Sequence, residues 1–141
     1  MINENFTLTG RFQLYEDDKL VIDKSNLITN LGAELYANII SGDISILPEY
    51  LGIDGGSGEY THNTTQLFNE ILRKYQANVT SPGNLSKREF IIDSNEAIGQ
   101  IYGFGLTTSS TLGIYTNLIN QNYLHEAGKK LRIVWTIEVS V

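Results

Sequence analysis

The sequence predicts an α+β domain, predominantly β: an antiparallel β-sandwich-like domain with one longer and one short helix in the first half. Three observations carry this expectation. At the C-terminus Leu131, Ile133, Trp135, Ile137, Val139 and Val141 share one parity, while Arg132, Thr136, Glu138 and Ser140 share the other. That period of two is the mark of a half-buried strand, and a slip of one residue would expose the whole apolar set. Near the N-terminus Phe6, Leu8, Phe12 and Leu14 repeat the pattern. Between them Leu31, Leu35 and Ile39 recur every fourth residue, which makes one apolar face of a helix. The chain has 141 residues with no internal repeat and no linker, so residues 1–141 are expected to form one structural domain.

Taken in order, Gly10 interrupts the first strand, which signals a bulge or a close approach. Glu16-Asp17-Asp18-Lys19 is a turn, and Leu20-Val21-Ile22 completes a hairpin. Asn30 to Ile40 is the longer helix, with Asn30 able to cap it and Gly42 available for a left-handed stop. Tyr50 to Ile53 is a short strand, ended by Asp54-Gly55-Gly56-Ser57-Gly58. The short helix is expected from Thr64 or Thr65 through Lys74, because Leu67 pairs with Ile71 and Phe68 with Leu72 at helical spacing. After Ser81-Pro82-Gly83-Asn84 come strands over Glu89 to Asp93, Ile98 to Leu106, Leu112 to Ile119 and finally Leu131 to Val141.

Composition narrows the function. There are no cysteines, so thiolate metal sites, disulfides and a thiol nucleophile are excluded. The net charge of −6 and the lack of a basic stripe argue against nucleic acid. No apolar run approaches the roughly 20 residues that span a bilayer, and Met1 to Asn5 lacks the charged and apolar regions of a secretion signal.

The search for chemistry gives no catalytic residue. Gly55-Gly56-Ser57-Gly58-Glu59 lacks the final glycine and following helix of a nucleophile elbow. His62 and His125 read as ordinary surface or turn histidines. Around Asp54 the calcium-loop spacing is broken by Gly56 and Gly58, so no metal is expected and the glycine run reads as a flexible surface loop. Gly103-Phe104-Gly105 lies within a strand pattern, away from any strand-to-helix turn, and no other segment matches a phosphate cradle. No cofactor is implied. Eight tyrosines supply flat, hydrogen-bonding surface suited to interfaces or sugars, and also to half-buried strand positions.

Four segments resemble elements of small structural proteins of tailed bacteriophages, from tails, necks, collars and baseplates. Asn26-Leu27-Ile28-Thr29-Asn30-Leu31-Gly32 is similar to their N-L-V-T-N-x-G element. Leu51-Gly52-Ile53-Asp54-Gly55-Gly56 is similar to a strand ending in a glycine-rich turn, and Leu67 to Arg73 to an L-x-x-E-x-x-R helix. Ile98 to Leu106 followed by Thr111-Leu112 is similar to a glycine-rich strand and turn. The likeness covers about residues 26 to 141; Thr64 and Gly103 depart from it, standing where acidic residues are common. It implies a non-enzymatic virion component, made in the host cytoplasm, whose partners are copies of itself and other virion proteins. The competing reading is a carbohydrate- or host-surface-binding module. The residues expected to make assembly contacts are Asp54, Gly55, Gly56, Ser57, Tyr60, Glu70, Arg73 and Thr111. Glu70 and Arg73 suit either a surface pair or a pair buried between subunits.

Overall fold

The structure is a computed structural model, described over residues 7–109 and 113–140. Two five-stranded antiparallel sheets face each other. The first holds β2 (Lys19–Ser25), β1 (Thr7–Glu16), β10 (Leu131–Ser140), β7 (Leu85–Ile92) and β6 (Asn78–Thr80), in that spatial order. The second holds β3 (Leu27–Ile28), β9 (Tyr115–His125), β8 (Gly99–Thr107), β4 (Tyr50–Asp54) and β5 (Glu70–Tyr75). Among the described residues there is a single helix, α1 (Asn30–Ile40), which packs on β9. The fold is therefore α+β, predominantly β and sandwich-like, as the alternating patterns predict.

β10 is the centre of the first sheet, paired along its length with β1 and over most of it with β7. Leu131, Ile133, Trp135 and Ile137 enter the space between the sheets, joined by Phe12 and Leu14 from β1, Leu51 and Ile53 from β4, and Phe104 from β8. Val139, at the open end of the sandwich, is 36% exposed; Phe6 and Val141 lie outside the described residues. Phe12 holds the core together. Its ring lies 4.8 Å from that of Phe104 and meets Trp135 edge-on at 5.2 Å.

The buried indole N–H of Trp135 donates to Asn26 Oδ1 at 2.8 Å. Gly10 makes this possible, because a Cβ there would sit 2.1 Å from that same oxygen. The close approach anticipated at Gly10 is thus real, and its partner is the residue at which the chain crosses from β2 to β3. The hairpin turn is also as expected: Asp17 and Asp18 both have positive φ, 46° and 68°, the backbone of a two-residue type I′ connection.

α1 spans the expected residues, but its cap is Thr29, one residue earlier. Thr29 Oγ1 accepts from Gly32 N at 2.9 Å and donates to the Tyr115 carbonyl at 2.6 Å. The helix start is therefore fastened to β9, and a Cβ at Gly32 would lie 2.3 Å from the Thr116 carbonyl oxygen. Leu35 and Tyr36 are buried while Leu31 is exposed, so the inward face is turned from the 31–35–39 stripe toward Gly32 and Tyr36. Gly42, with φ +105°, ends the helix.

One element is corrected. Residues 64–74 do not form a helix; Glu70–Tyr75 is strand β5, an edge strand paired with β4, and residues 64–69 are loop and bends. The register steps from Ile53↔Leu72 to Asp54↔Glu70, which leaves Ile71 as an extra residue in a bulge. β9 also begins later than expected, at Tyr115, and runs on to His125. β3 and β6, two and three residues long, had no pattern to announce them.

Candidate functional site

Asp54 is the last residue of β4, and Gly52 and Asp54 point away from the inter-sheet core that takes Leu51 and Ile53. On that outer face Asp54 is fully buried. Its Oδ1 accepts from Gly56 N and Asn69 N, both at 2.8 Å. Its Oδ2 accepts from Tyr60 Oη at 2.5 Å and Phe68 N at 2.9 Å. One carboxylate thus gathers four donors from both ends of the 55–69 loop, and charge-assisted bonds of this kind are the strong ones. Asn120 of β9 provides a second strap: its Oδ1 accepts from Tyr60 N at 2.9 Å and its Nδ2 donates to the Gly58 carbonyl at 2.8 Å.

The loop lies on a strip of the sheet without side chains. A Cβ at Gly103 would meet Tyr60 Oη at 2.2 Å, and one at Gly52 would meet Tyr115 Oη at the same distance. Tyr60, Leu67, Tyr115 and Leu118 form a small second core in this layer. Burial, together with the Asp54 carboxylate, raises the Tyr60 phenol well above its ordinary range.

Beside this layer Glu70 and Arg73 form an ion pair of 2.6 Å. On a regular strand residues three apart face opposite sides; the Ile71 bulge brings both to the outer face. Arg73 also donates to the Ser109 carbonyl at 2.7 Å and to Tyr115 Oη at 3.1 Å, and Tyr115 Oη donates to Glu70. Its side chain is only 11% exposed. Burial pulls the guanidinium's pKa down, but the bonds and charges of Glu70 and Tyr115 outweigh it and leave the value raised. The pair is therefore built into one chain, before any neighbour arrives.

The expected contact residues separate into groups. Asp54 and Tyr60 are buried and hold the loop; Gly55 and Gly56 are half-buried beneath Ile71, Phe68 and Asn69; Ser57 is exposed. Glu70 and Arg73 lie at the neighbouring edge strand, and Thr111 lies outside the described residues. The glycine run is strapped down rather than free, because both Asp54 and Asn120 bond its backbone. Sequence reasoning missed Asn120 and the exposed apolar set Phe68, Ile71 and Tyr75, which are 50%, 43% and 55% exposed along the loop and β5. Asp54 did carry a local signal: an Asp ahead of Gly-Gly commonly bonds the amide two residues on.

The two histidines differ in setting. His62 is exposed, with Nδ1 2.9 Å from the Ile28 carbonyl. His125 is not a surface residue: it is fully buried, with Nδ1 3.2 Å from the Ala97 carbonyl and Nε2 2.5 Å from that of Lys129. Among the described residues there is no group of three or more side chains able to hold a metal, and both Asp54 oxygens are filled by protein donors. No helix among the described residues is long and apolar enough to cross a membrane.

No protein-family model, curated protein sequence or solved structure matches the chain. Fold and site define a class by architecture alone: a two-sheet antiparallel β-sandwich packed by one helix, with a carboxylate-strapped loop on its outer face.

Proposed function

We propose that this chain is a non-enzymatic structural component of a tailed-bacteriophage virion, made in the host cytoplasm and working by self-association and by docking on other virion proteins. The observation that carries the reading is the exposure of Phe68, Ile71 and Tyr75 on a strapped loop and the adjoining edge strand. Large apolar side chains grouped at a surface favour a protein partner. A sheet edge offers unpaired backbone groups to a neighbour. The straps from Asp54 and Asn120 reduce the entropy that the loop would lose on contact. Segments similar to those of phage structural proteins, at Asn26–Gly32, Leu51–Gly56 and Ile98–Leu106, suggest the kind of assembly; Leu67–Arg73 no longer counts among them, because it is loop and strand rather than helix.

Paired hydrogen exchange on the free chain and on the assembled particle tests this. Amides of residues 55–71 are expected to exchange more slowly in the particle. Equal exchange in the two states removes this face from the assembly.

A second reading has one observation in its favour. Lys24, Ser57, Glu59, Tyr102, Asn120 and Asn122 line a shallow polar basin beside the loop. Amides and a tyrosine at one depression suit a sugar. Clear hits on a glycan array, lost in Tyr102→Ala, would favour that function over assembly.

A further inference from the structure

At the opposite end of the sandwich, β7 turns a charged side chain inward. Arg88 shares the core-facing parity of Phe90 and Ile92 and stands opposite Trp135 of β10 and Val79 of β6. Among the described residues it forms no ion pair; Nη1 donates to Gln76 Oε1 at 2.5 Å. Gln76 in turn donates to Glu49 at 3.3 Å, so Glu49 reaches Arg88 through an amide. No bond from Nε or Nη2 is seen among the described residues, and neither atom is fully buried, so this edge of the half-buried side chain is open to a ligand. Burial of part of the side chain lowers the pKa of its guanidinium, and an anion on the open edge would offset that cost.

What it faces is a pocket of about 260 Å³ between α1, the Leu47-Pro48 segment and strands β1, β7 and β10 of the first sheet. Tyr36, Ile39, Leu47, Ile137 and Val139 supply its apolar wall, and among the described residues Arg88 is the one charged side chain that lines it. This combination of an apolar enclosure with one convergent polar group is the usual design of a small-molecule site.

We propose that this pocket binds an aliphatic carboxylate, with its alkyl chain among Ile39, Ile137 and Val139 and its headgroup on the free edge of Arg88. Charge complementarity chooses the occupant. The chain is acidic overall, yet the pocket presents a lone cation. A neutral alkyl ligand would leave that cation unpaired, and a hydrophilic anion would leave the apolar wall wet. A guanidinium binds a carboxylate through two parallel bonds, which fixes orientation as well as charge. The site is separate from the loop 55–69 face and does not depend on the assembly reading.

The test uses octanoate as probe and octanol as its neutral counterpart, with binding followed by titration calorimetry and by methyl NMR shifts at Ile137 and Val139. Octanoate is expected to bind with one-to-one stoichiometry and roughly tenfold or more tighter than octanol, the difference supplied by a charged hydrogen bond. Arg88→Gln should abolish that preference while leaving octanol binding intact. If Arg88→Gln does not fold, Val139→Trp at the partly exposed rim should block both ligands in a folded protein. Failure of octanoate to bind, equal binding of the two ligands, or undiminished octanoate binding to either folded variant overturns the proposal.

Discussion

At Asp54 four donors meet one buried carboxylate, and three of them are the backbone amides of Gly56, Phe68 and Asn69. Asp54→Ala removes all four bonds together. It is expected to cost on the order of 2–4 kcal/mol in denaturant unfolding and to speed exchange of the Phe68 and Asn69 amides. Unchanged exchange at those amides would show that the loop is held by something else. Trp135 is the largest fully buried side chain, and Trp135→Ala should cost about 3–5 kcal/mol. Its native emission is expected to be that of a water-shielded indole; a water-exposed spectrum would contradict the placement. The Asn26-to-Gly32 segment also has reasons at this scale. Asn26 takes the Trp135 N–H, Thr29 caps the helix, Asn30 donates to Asn63 at 2.6 Å, and Gly32 admits the β9 backbone.

Among the elements, those with one wet face could be read from the sequence and those without could not. β1 and β10 alternate because their sheet has a solvated side, and the alternation shows which face of each strand is buried. β9 begins with five consecutive buried residues, Tyr115 to Ile119, and β8 ends with five more, Gly103 to Thr107. α1 and the 55–69 loop cover the outer side of that sheet, so the alternation disappears. β5 misled for another reason. Leu67, Phe68, Ile71 and Leu72 fall at helical spacing, yet Leu67 belongs to the loop layer, Leu72 to the inter-sheet core, and Ile71 to a bulge. The same bulge explains why Glu70 and Arg73 pair although the element is not a helix. Because their pair also includes Tyr115, a double-mutant cycle of Glu70→Gln and Arg73→Met should give a coupling of about 1–2 kcal/mol, above the value for an exposed pair. A coupling indistinguishable from zero would mean the cluster contributes nothing to the isolated chain.

Across the whole molecule, buried and half-buried tyrosines are expected to set the alkaline limit of stability. Burial raises the Tyr36 phenol from 10.0 to about 12, and Tyr60, Tyr115 and Tyr123 are raised further by burial and by their carboxylate partners. Each folded value lies above the unfolded one, so the native state holds these protons more tightly. Their stabilisation is complete below pH 10.0 and is lost as pH rises through the folded values, beginning with Tyr36 near 12. Part of the tyrosinate absorbance should therefore appear together with the loss of circular dichroism. Full tyrosine titration in a still-folded protein would contradict the burial of these rings.

The molecule's outward character rests on the contrast between a dense two-sheet core and the apolar set at β5. Phe68, Ile71 and Tyr75 contribute little to that core, and the proposed assembly would cover them. Weak contacts of this kind become stable when closed symmetry repeats them. Light scattering coupled to size-exclusion chromatography tests this most directly. The account predicts a defined oligomer for the unaltered chain and a folded monomer for the Phe68→Asp, Ile71→Asp double variant. An unaltered chain that remains monomeric at high concentration, or a double variant that assembles as well as the original, would contradict it.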